Sequence, residues 1–312
     1  MTPTRNMDPE QNWVNGRLTG RLVVAIPTTG RAAIVVETIR GFARQTRMPD
    51  LMILSVTGPE DADLTGLEKL PFPIRIVTTS KGATRQRNRA LEELETDDIL
   101  TFLDDDFLMA PDYLQRVERI FATHPEVAMA TGTVLADGIA GRGFSHAEGN
   151  ALLAELDNGA RPETFETAYN GYGCNMSMRV GPVFENSLRF DEDLPLYSWL
   201  EDLDFSRQLA RFGRIVKAAE LRGVHLGTKT GRTTGVRVGY SQVSNPVYLV
   251  GKGTMQAWRA QWIMWRNIAS NLLKSVRPEP WIDRRGRLKG NLLAARDILL
   301  GRLAPGRILD IN

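Results

Sequence analysis

Short apolar runs bounded by turn formers recur through the first hundred positions, and between them apolar residues fall at helical spacing. Arg21-Leu22-Val23-Val24-Ala25-Ile26, ended by Pro27, reads as a buried strand, as do Leu51–Val56 before Gly58-Pro59, Ile74–Thr78 and Ile99–Leu103. Residues 31–45 place Ile34, Thr38, Ile39 and Phe42 on one helical face. Residues 84–95 predict a second helix, and Pro111 at a helix N1 position opens a third that runs through Phe121. Strand alternating with helix predicts an α/β domain, a mainly parallel, Rossmann-like sheet with helices on both faces. Such sheets bind ligands at the carboxyl ends of their strands. The pattern weakens over 127–167, where glycine-rich stretches predict loops and short strands, and order returns over 198–212. Gly, Thr and Arg then predict a flexible loop over 227–239, followed by a basic, tryptophan-bearing helix over 254–275. Three parts result: a loose N-terminal leader over 1–20, the α/β domain over 21–225, and a basic, mostly helical C-terminal segment over 226–312.

Composition narrows this picture by exclusion. With 312 residues, 42% hydrophobic and 24% charged, the chain is neither collagen-like nor disordered. The single cysteine, Cys174, excludes an internal disulfide and a cysteine-based zinc site, and a reducing cytoplasm is the natural compartment. No run of 18 apolar residues predicts a spanning helix, and residues 1–20 lack the apolar core of a signal peptide. The net charge of +2 hides an asymmetry: residues 213–312 hold 18 Lys+Arg against 5 Asp+Glu, the remainder 21 against 32. An acidic body suits a cation site, and a basic tail suits an anionic partner. No motif that reads nucleic acid is present, and none is expected as a partner.

The chemistry concentrates in two acidic clusters. Asp104-Asp105-Asp106 follows the fourth strand directly. Adjacent carboxylates repel one another, so a hard cation such as Mn²⁺ or Mg²⁺ is expected there, of the kind that bridges a diphosphate. In the second cluster, Glu201-Asp202-Leu203-Asp204, Ser198 and Glu201 fit a capping box. Asp202 is then the carboxylate least explained by helix architecture, and the preferred general base. In the tail, Trp258, Trp262 and Trp265 at i, i+4, i+7 share one helix face beside Arg259, Arg266 and Lys274. Two readings stand: the tryptophans pack on the α/β domain, or they meet the interfacial layer of an anionic membrane, a peripheral contact through 250–312.

Together these segments resemble the inverting nucleotide-sugar glycosyltransferases of family 2, which have the GT-A fold. The resemblance is carried by Ile26-Pro27-Thr28-Thr29-Gly30-Arg31, by Gly82-Ala83-Thr84-Arg85-Gln86-Arg87-Asn88, by Leu103-Asp104-Asp105-Asp106, by Gly173-Cys174-Asn175-Met176-Ser177, and by Phe190-Asp191-Glu192 with Glu201-Asp202-Leu203-Asp204. It spans roughly residues 21–225 and implies a GT-A domain there. It further implies that Asp104 and Asp106 hold the metal, completed by His225, and that Asp202, with Glu201 beside it, is catalytic. Donor contacts are implied for Pro27, Thr28, Arg31, Thr57, Arg87, Asp104 and Asp105. Tyr197, Trp199 and Asn175 are placed on the acceptor side. One departure concerns the nucleobase: family members carry an acidic pair after the second strand, whereas Val56-Thr57 occupies that place here. Thr57 offers one hydrogen bond instead, and a UDP-sugar is the default donor. The implied reaction is transfer of a sugar to a hydroxyl of a glycan or lipid-linked acceptor, in polysaccharide or lipid-linked glycan assembly. A nucleotidylyltransferase that makes sugar nucleotides is the alternative, but residues 27–31 carry too few glycines for its first loop. An inactive glycan-binding or scaffold protein on the same fold leaves the full set of carboxylates unexplained.

Overall fold

The four apolar runs of the first hundred residues pair side by side in the computed structural model, which describes residues 13–14, 17–18, 20–67, 69–159, 161–230 and 233–311. Most of the leader expected over 1–20 lies outside these residues. The runs are β1 (Leu22–Pro27), β2 (Leu51–Val56), β3 (Ile74–Thr78) and β4 (Ile99–Leu103), parallel in the order β3-β2-β1-β4. Their partners are α1 (Ala32–Gly41), α2 (Ala83–Leu91) and α3 (Tyr113–Thr123). Pro111 lies just outside α3, whose N-cap is Asp112, so the third helix starts two residues later than expected.

Side chains alternate across a strand, and here both faces are covered. Leu22, Val24 and Ile26 enter one core with Val35 and Ile39 of α1 and Val117 and Phe121 of α3. Val23 and Ala25 enter the other with Leu91 of α2 and with Phe190 and Phe205.

The second half of the sheet is mixed rather than parallel. It holds β5 (Phe107–Met109), β6 (Val127–Asp137), β7 (Phe165–Thr167), β8 (Asn175–Arg179) and β9 (Arg214–His225). β8 runs antiparallel between β4 and β6, and β9 runs parallel to β6. The stretch expected to hold loops and short strands thus contains an eleven-residue strand, and α4 (His146–Leu156) besides. Between Ala218 and Arg222 the β9 register against β6 shifts, an irregularity of the kind that bends a strand. Past it β9 pairs with β5, and His225 comes opposite Phe107, one residue beyond the acidic triplet. Two more helices complete this part, α5 (Gly181–Glu185) and α6 (Glu201–Leu209).

The C-terminal segment is three helices, α7 (Gly235–Lys252), α8 (Ala257–Lys274) and α9 (Arg284–Leu299). The loop expected over 227–239 ends early, because its last glycines serve helix packing. A Cβ on Gly239 would lie 2.0 Å from the Arg287 carbonyl oxygen, and one on Gly290 2.1 Å from that of Val236. Only hydrogen side chains let α7 and α9 approach so closely. The reading in which the tryptophans pack on the α/β domain is also corrected. Trp258, Trp262 and Trp265 are 61–66% exposed, because α8 turns Ala260, Ile263 and Met264 inward instead.

Candidate active site

β4 ends in an acidic triplet whose three members take different environments. Asp105 is buried, accepting a hydrogen bond from the Thr28 hydroxyl at 2.7 Å and one from Arg31 Nη1 at 2.9 Å. Burial pushes its carboxyl up to about 6 against the opposing pull of Arg31. Asp106 is also buried, with Oδ2 accepting from the Thr228 backbone N–H at 2.7 Å and Oδ1 3.3 Å from His225 Nε2. Burial opposes the Asp106 charge, but the His225 contact and the Thr228 amide outweigh it and hold the carboxyl well below the usual range. Asp104 keeps a third of its side chain in solvent, and its Oδ2 lies 3.8 Å from the same His225 nitrogen.

His225 is oriented from behind. Its Nδ1 lies 2.9 Å from Asp137 Oδ1, and Tyr172 donates its hydroxyl to Asp137 Oδ2 at 2.8 Å. Nε2 is therefore the nitrogen turned to the two aspartates. Ligand atoms of Asp104, Asp106 and His225 lie within 4.8 Å of one another. Burial disfavours the imidazolium, yet Asp106 and Asp137 raise His225 to about 10. A proton thus stands where two carboxylates call for positive charge. Two oxygens and one imidazole nitrogen fit a divalent cation such as Mn²⁺ or Mg²⁺.

Arg87 connects this cluster to α6. Its guanidinium lies between the Phe102 and Phe190 rings, 5.4 and 5.5 Å from their centroids. Nη1 donates to Glu201 Oε1 at 2.7 Å, and Nη2 donates to the Gly173 carbonyl at 3.0 Å and lies 3.5 Å from Asp104. Glu201 is consequently buried and spoken for, and burial pushes its carboxyl well above the usual range despite Arg87. Asp204 is buried too, paired with Lys252 at 2.7 Å. Asp202 alone of the three acids remains half-buried, accepting from the Gly173 N–H at 2.9 Å and from its own helix at Leu203 N. Its carboxyl is raised by burial against the pull of those donors and Arg87.

The capping box expected at Ser198 and Glu201 does not form. The α6 N-cap is Leu200 at φ 73°, and the Ser198 hydroxyl donates to the Leu194 and Leu196 carbonyls. Leu196, Ser198 and Leu200 are all left-handed, a strained run for side chains with a Cβ. Between them, Tyr197 is 53% exposed and Trp199 half-buried. Asn175, expected on the acceptor side, is instead fully buried in β8, accepting from the Thr131 hydroxyl and the Gly132 amide.

Of the residues expected to contact a donor, Pro27 ends β1, and Arg31 also donates to the carbonyls of Thr228 and Thr230. Thr57 gives its amide and hydroxyl to Asp61, at 2.7 and 2.6 Å, and Asp61 also accepts from Gly30 and Gly58. Asp61 therefore ties the loops after β1 and β2 together. Sequence reasoning missed it because the acid stands four residues past the matching position and reaches back through a short 3₁₀ turn. Asp137 and Tyr172 were missed for a different reason: strand register sets Asp137 opposite His225, and Tyr172 reaches Asp137 from the segment before β8. No local signal marks either one.

Comparison with known proteins fits this geometry. A family model described as Glycosyl transferase family 2 matches residues 23–182, just over half of the chain. A Glucosyl-dolichyl phosphate glucuronosyltransferase of Haloferax volcanii is 24% identical over 149 residues, 46% of this chain and 47% of that protein. The chain thus matches about half the length of that relative. The mannosyltransferase PcManGT from Pyrobaculum calidifontis, solved with GDP-Man and Mn²⁺, shares 16% identity at a TM-score of 0.55, over 93% of this chain and 83% of its own. TarS 1–349 of S. aureus shares 16% identity at 0.55, over 92% and 82%. At such identities these two structures show a common fold.

Proposed function

Because the chain belongs to glycosyl transferase family 2, we propose that it is a metal-dependent, inverting glycosyltransferase acting on a nucleotide-sugar donor. The observation that carries this reading is the convergence of Asp104, Asp106 and His225 at the end of β4, joined through Arg87 to the helix that bears Asp202. Those three side chains would hold a divalent cation, which would supply Lewis-acid stabilisation of the charge on a departing nucleoside diphosphate. Thr28 and Arg31 fix Asp105 at the donor side, and Asp61 fixes the turn carrying Thr57 where a nucleobase would lie. The Asp202 carboxylate accepts the proton of the acceptor hydroxyl. The hydroxyl oxygen then bonds to the anomeric carbon as the carbon–oxygen bond to the diphosphate breaks on the opposite side, which inverts that centre. One base suffices for such direct displacement, whereas the double displacement of retaining glycosidases uses a second carboxylate as nucleophile. Glu201 acts through Arg87, holding it between the two acidic clusters. Tyr197 and Trp199 face the acceptor, a glycan or a lipid-linked saccharide. The relative's name mentions a dolichyl phosphate saccharide, which supports a lipid-linked acceptor.

The test is thermal denaturation with MnCl₂ and either UDP or GDP. A ligand at 100 times its Kd stabilises by about 2.7 kcal/mol, so a Mn²⁺-dependent rise in Tm is expected with one of the two nucleotides. Asp104→Asn, at a partly exposed position, should abolish the rise. No rise in the parent protein, or an equal one in the variant, would overturn the reading. Release of pyrophosphate rather than a nucleoside diphosphate during turnover would favour the nucleotidylyltransferase.

A further inference from the structure

Of the seventeen exposed large apolar side chains among the described residues, twelve fall between Trp258 and Leu309. They are ordered rather than scattered. On α8, Trp258, Trp262, Trp265, Ala269 and Leu272 follow one another at spacings of four and three, so they line one face, and all are exposed, as is Val276 just past the helix end. The opposite face is already used, since Ala260 and Ile263 pack toward α6 and α7, while Met264 and Ile268 join the cluster of Tyr240 and Ala294. α8 is therefore apolar on both sides, and its outer side is left uncovered by the described residues. Contiguous exposed apolar surface of this extent marks an interaction site.

The charges say what kind. α8 carries Arg259, Arg266 and Lys274 and no acidic residue. On α9 the exposed positions Arg285, Lys289, Leu292, Arg296 and Leu299 repeat the same spacing, three cations and two leucines. Of the nearby carboxylates, Glu279 pairs with Lys274 and Arg284, Asp297 with Arg302 and Asp310 with Arg307, while Asp283 caps α9 by accepting from the Gly286 N–H. No helix among the described residues is long and apolar enough to cross a membrane.

We propose that the outer face of α8, flanked by the basic face of α9, docks on an anionic lipid bilayer with the helix lying in the interfacial plane. Tryptophan and leucine enter the boundary between headgroups and acyl chains, and the arginines and lysines meet lipid phosphates. A second copy of the chain fits poorly, because a two-fold contact sets these cations against one another. Docking rests on the exposed face alone and not on the glycosyl-transfer reading. Where both hold, α6 and Asp202 lie one helix layer from the bilayer, since Leu203 of α6 shares a cluster with Ala260 of α8.

The experiment is flotation of the full chain with vesicles of equimolar phosphatidylcholine and phosphatidylglycerol, and with phosphatidylcholine alone; neither arm reads activity. Flotation with the anionic vesicles is expected, with a blue shift of tryptophan emission. The combined change Trp258→Ser, Trp262→Ser and Trp265→Ser should lower partitioning at least about tenfold at unchanged Tm. Arg285→Glu with Lys289→Glu, which leaves α8 untouched, should do the same, at roughly a factor of five per charge removed. Several results would each overturn the proposal: a parent protein that stays unbound, equal binding to both vesicle types, undiminished binding of both variants, or a dimer that the serine changes convert to monomers.

Discussion

Asp202 and Glu201 are neighbours in sequence with opposite fates, and the difference is decided by one guanidinium. Arg87 takes Glu201 into a buried pair, while Asp202 keeps solvent access and two backbone donors. Asp202→Asn should therefore lower kcat by roughly 10²–10⁴-fold, the range for a general base, with donor affinity unchanged by nucleotide titration. Equal loss of donor affinity would count against the role. Asp61 makes a prediction of another kind. Burial opposes its charge, yet Thr57, Gly30 and Gly58 hold its carboxyl below the ordinary 3.8. A depressed folded-state value means stability that is present above about pH 4 and lost as the pH falls through the folded value. Asp61→Asn should cost about 1.5–3 kcal/mol at pH 7, as for a charge-assisted hydrogen bond, and the deficit should shrink below pH 4 in denaturant titrations. A deficit that does not change with pH would mean that the carboxylate charge contributes nothing.

At the scale of elements, continuous apolar runs and helical spacing were enough to place β1 to β4 and the first three helices, because burial on both sheet faces leaves few other patterns for such strands. The same reasoning placed the acidic triplet, since it abuts the fourth run. It failed where contacts are remote. The β9 irregularity that delivers His225 opposite Phe107 has no local signature, and the histidine was assigned through family resemblance. Glycine misled in the other direction. Over 227–239 it suggested flexibility, whereas Gly239 permits the α7–α9 contact. Gly239→Ala sets a methyl against the Arg287 carbonyl, backbone that cannot swing away. We expect a loss of about 1–3 kcal/mol by urea denaturation, the usual cost of overpacking. Gly251→Ala, on the same helix with open space around it, should cost nothing and stabilise slightly through helix propensity.

At the scale of the whole molecule, the charge asymmetry and the change of pattern near residue 226 suggested two regions with separate partners. Their packing argues for one folding unit. Leu203 of α6 shares its cluster with Leu249 of α7 and Ala260 of α8. Lys252 of α7 bridges Asp191 and Asp204, at 2.5 and 2.7 Å, and Asn245 Nδ2 donates to the Trp199 carbonyl at 2.8 Å. The strained run before α6 is thus held from the C-terminal side, and the proposed acceptor role of Tyr197 and Trp199 would depend on helices outside the family-matched stretch. Calorimetry should accordingly show one unfolding transition for the full chain. Leu249→Ala removes a fully buried side chain at this junction and should cost about 2–5 kcal/mol. It should move that transition down as a whole, because the junction and the sheet unfold together. Two separable transitions in the parent protein, or a variant in which only a minor low-temperature transition shifts, would mean that the helices fold apart from the sheet and that the loop bearing Tyr197 and Trp199 is braced some other way.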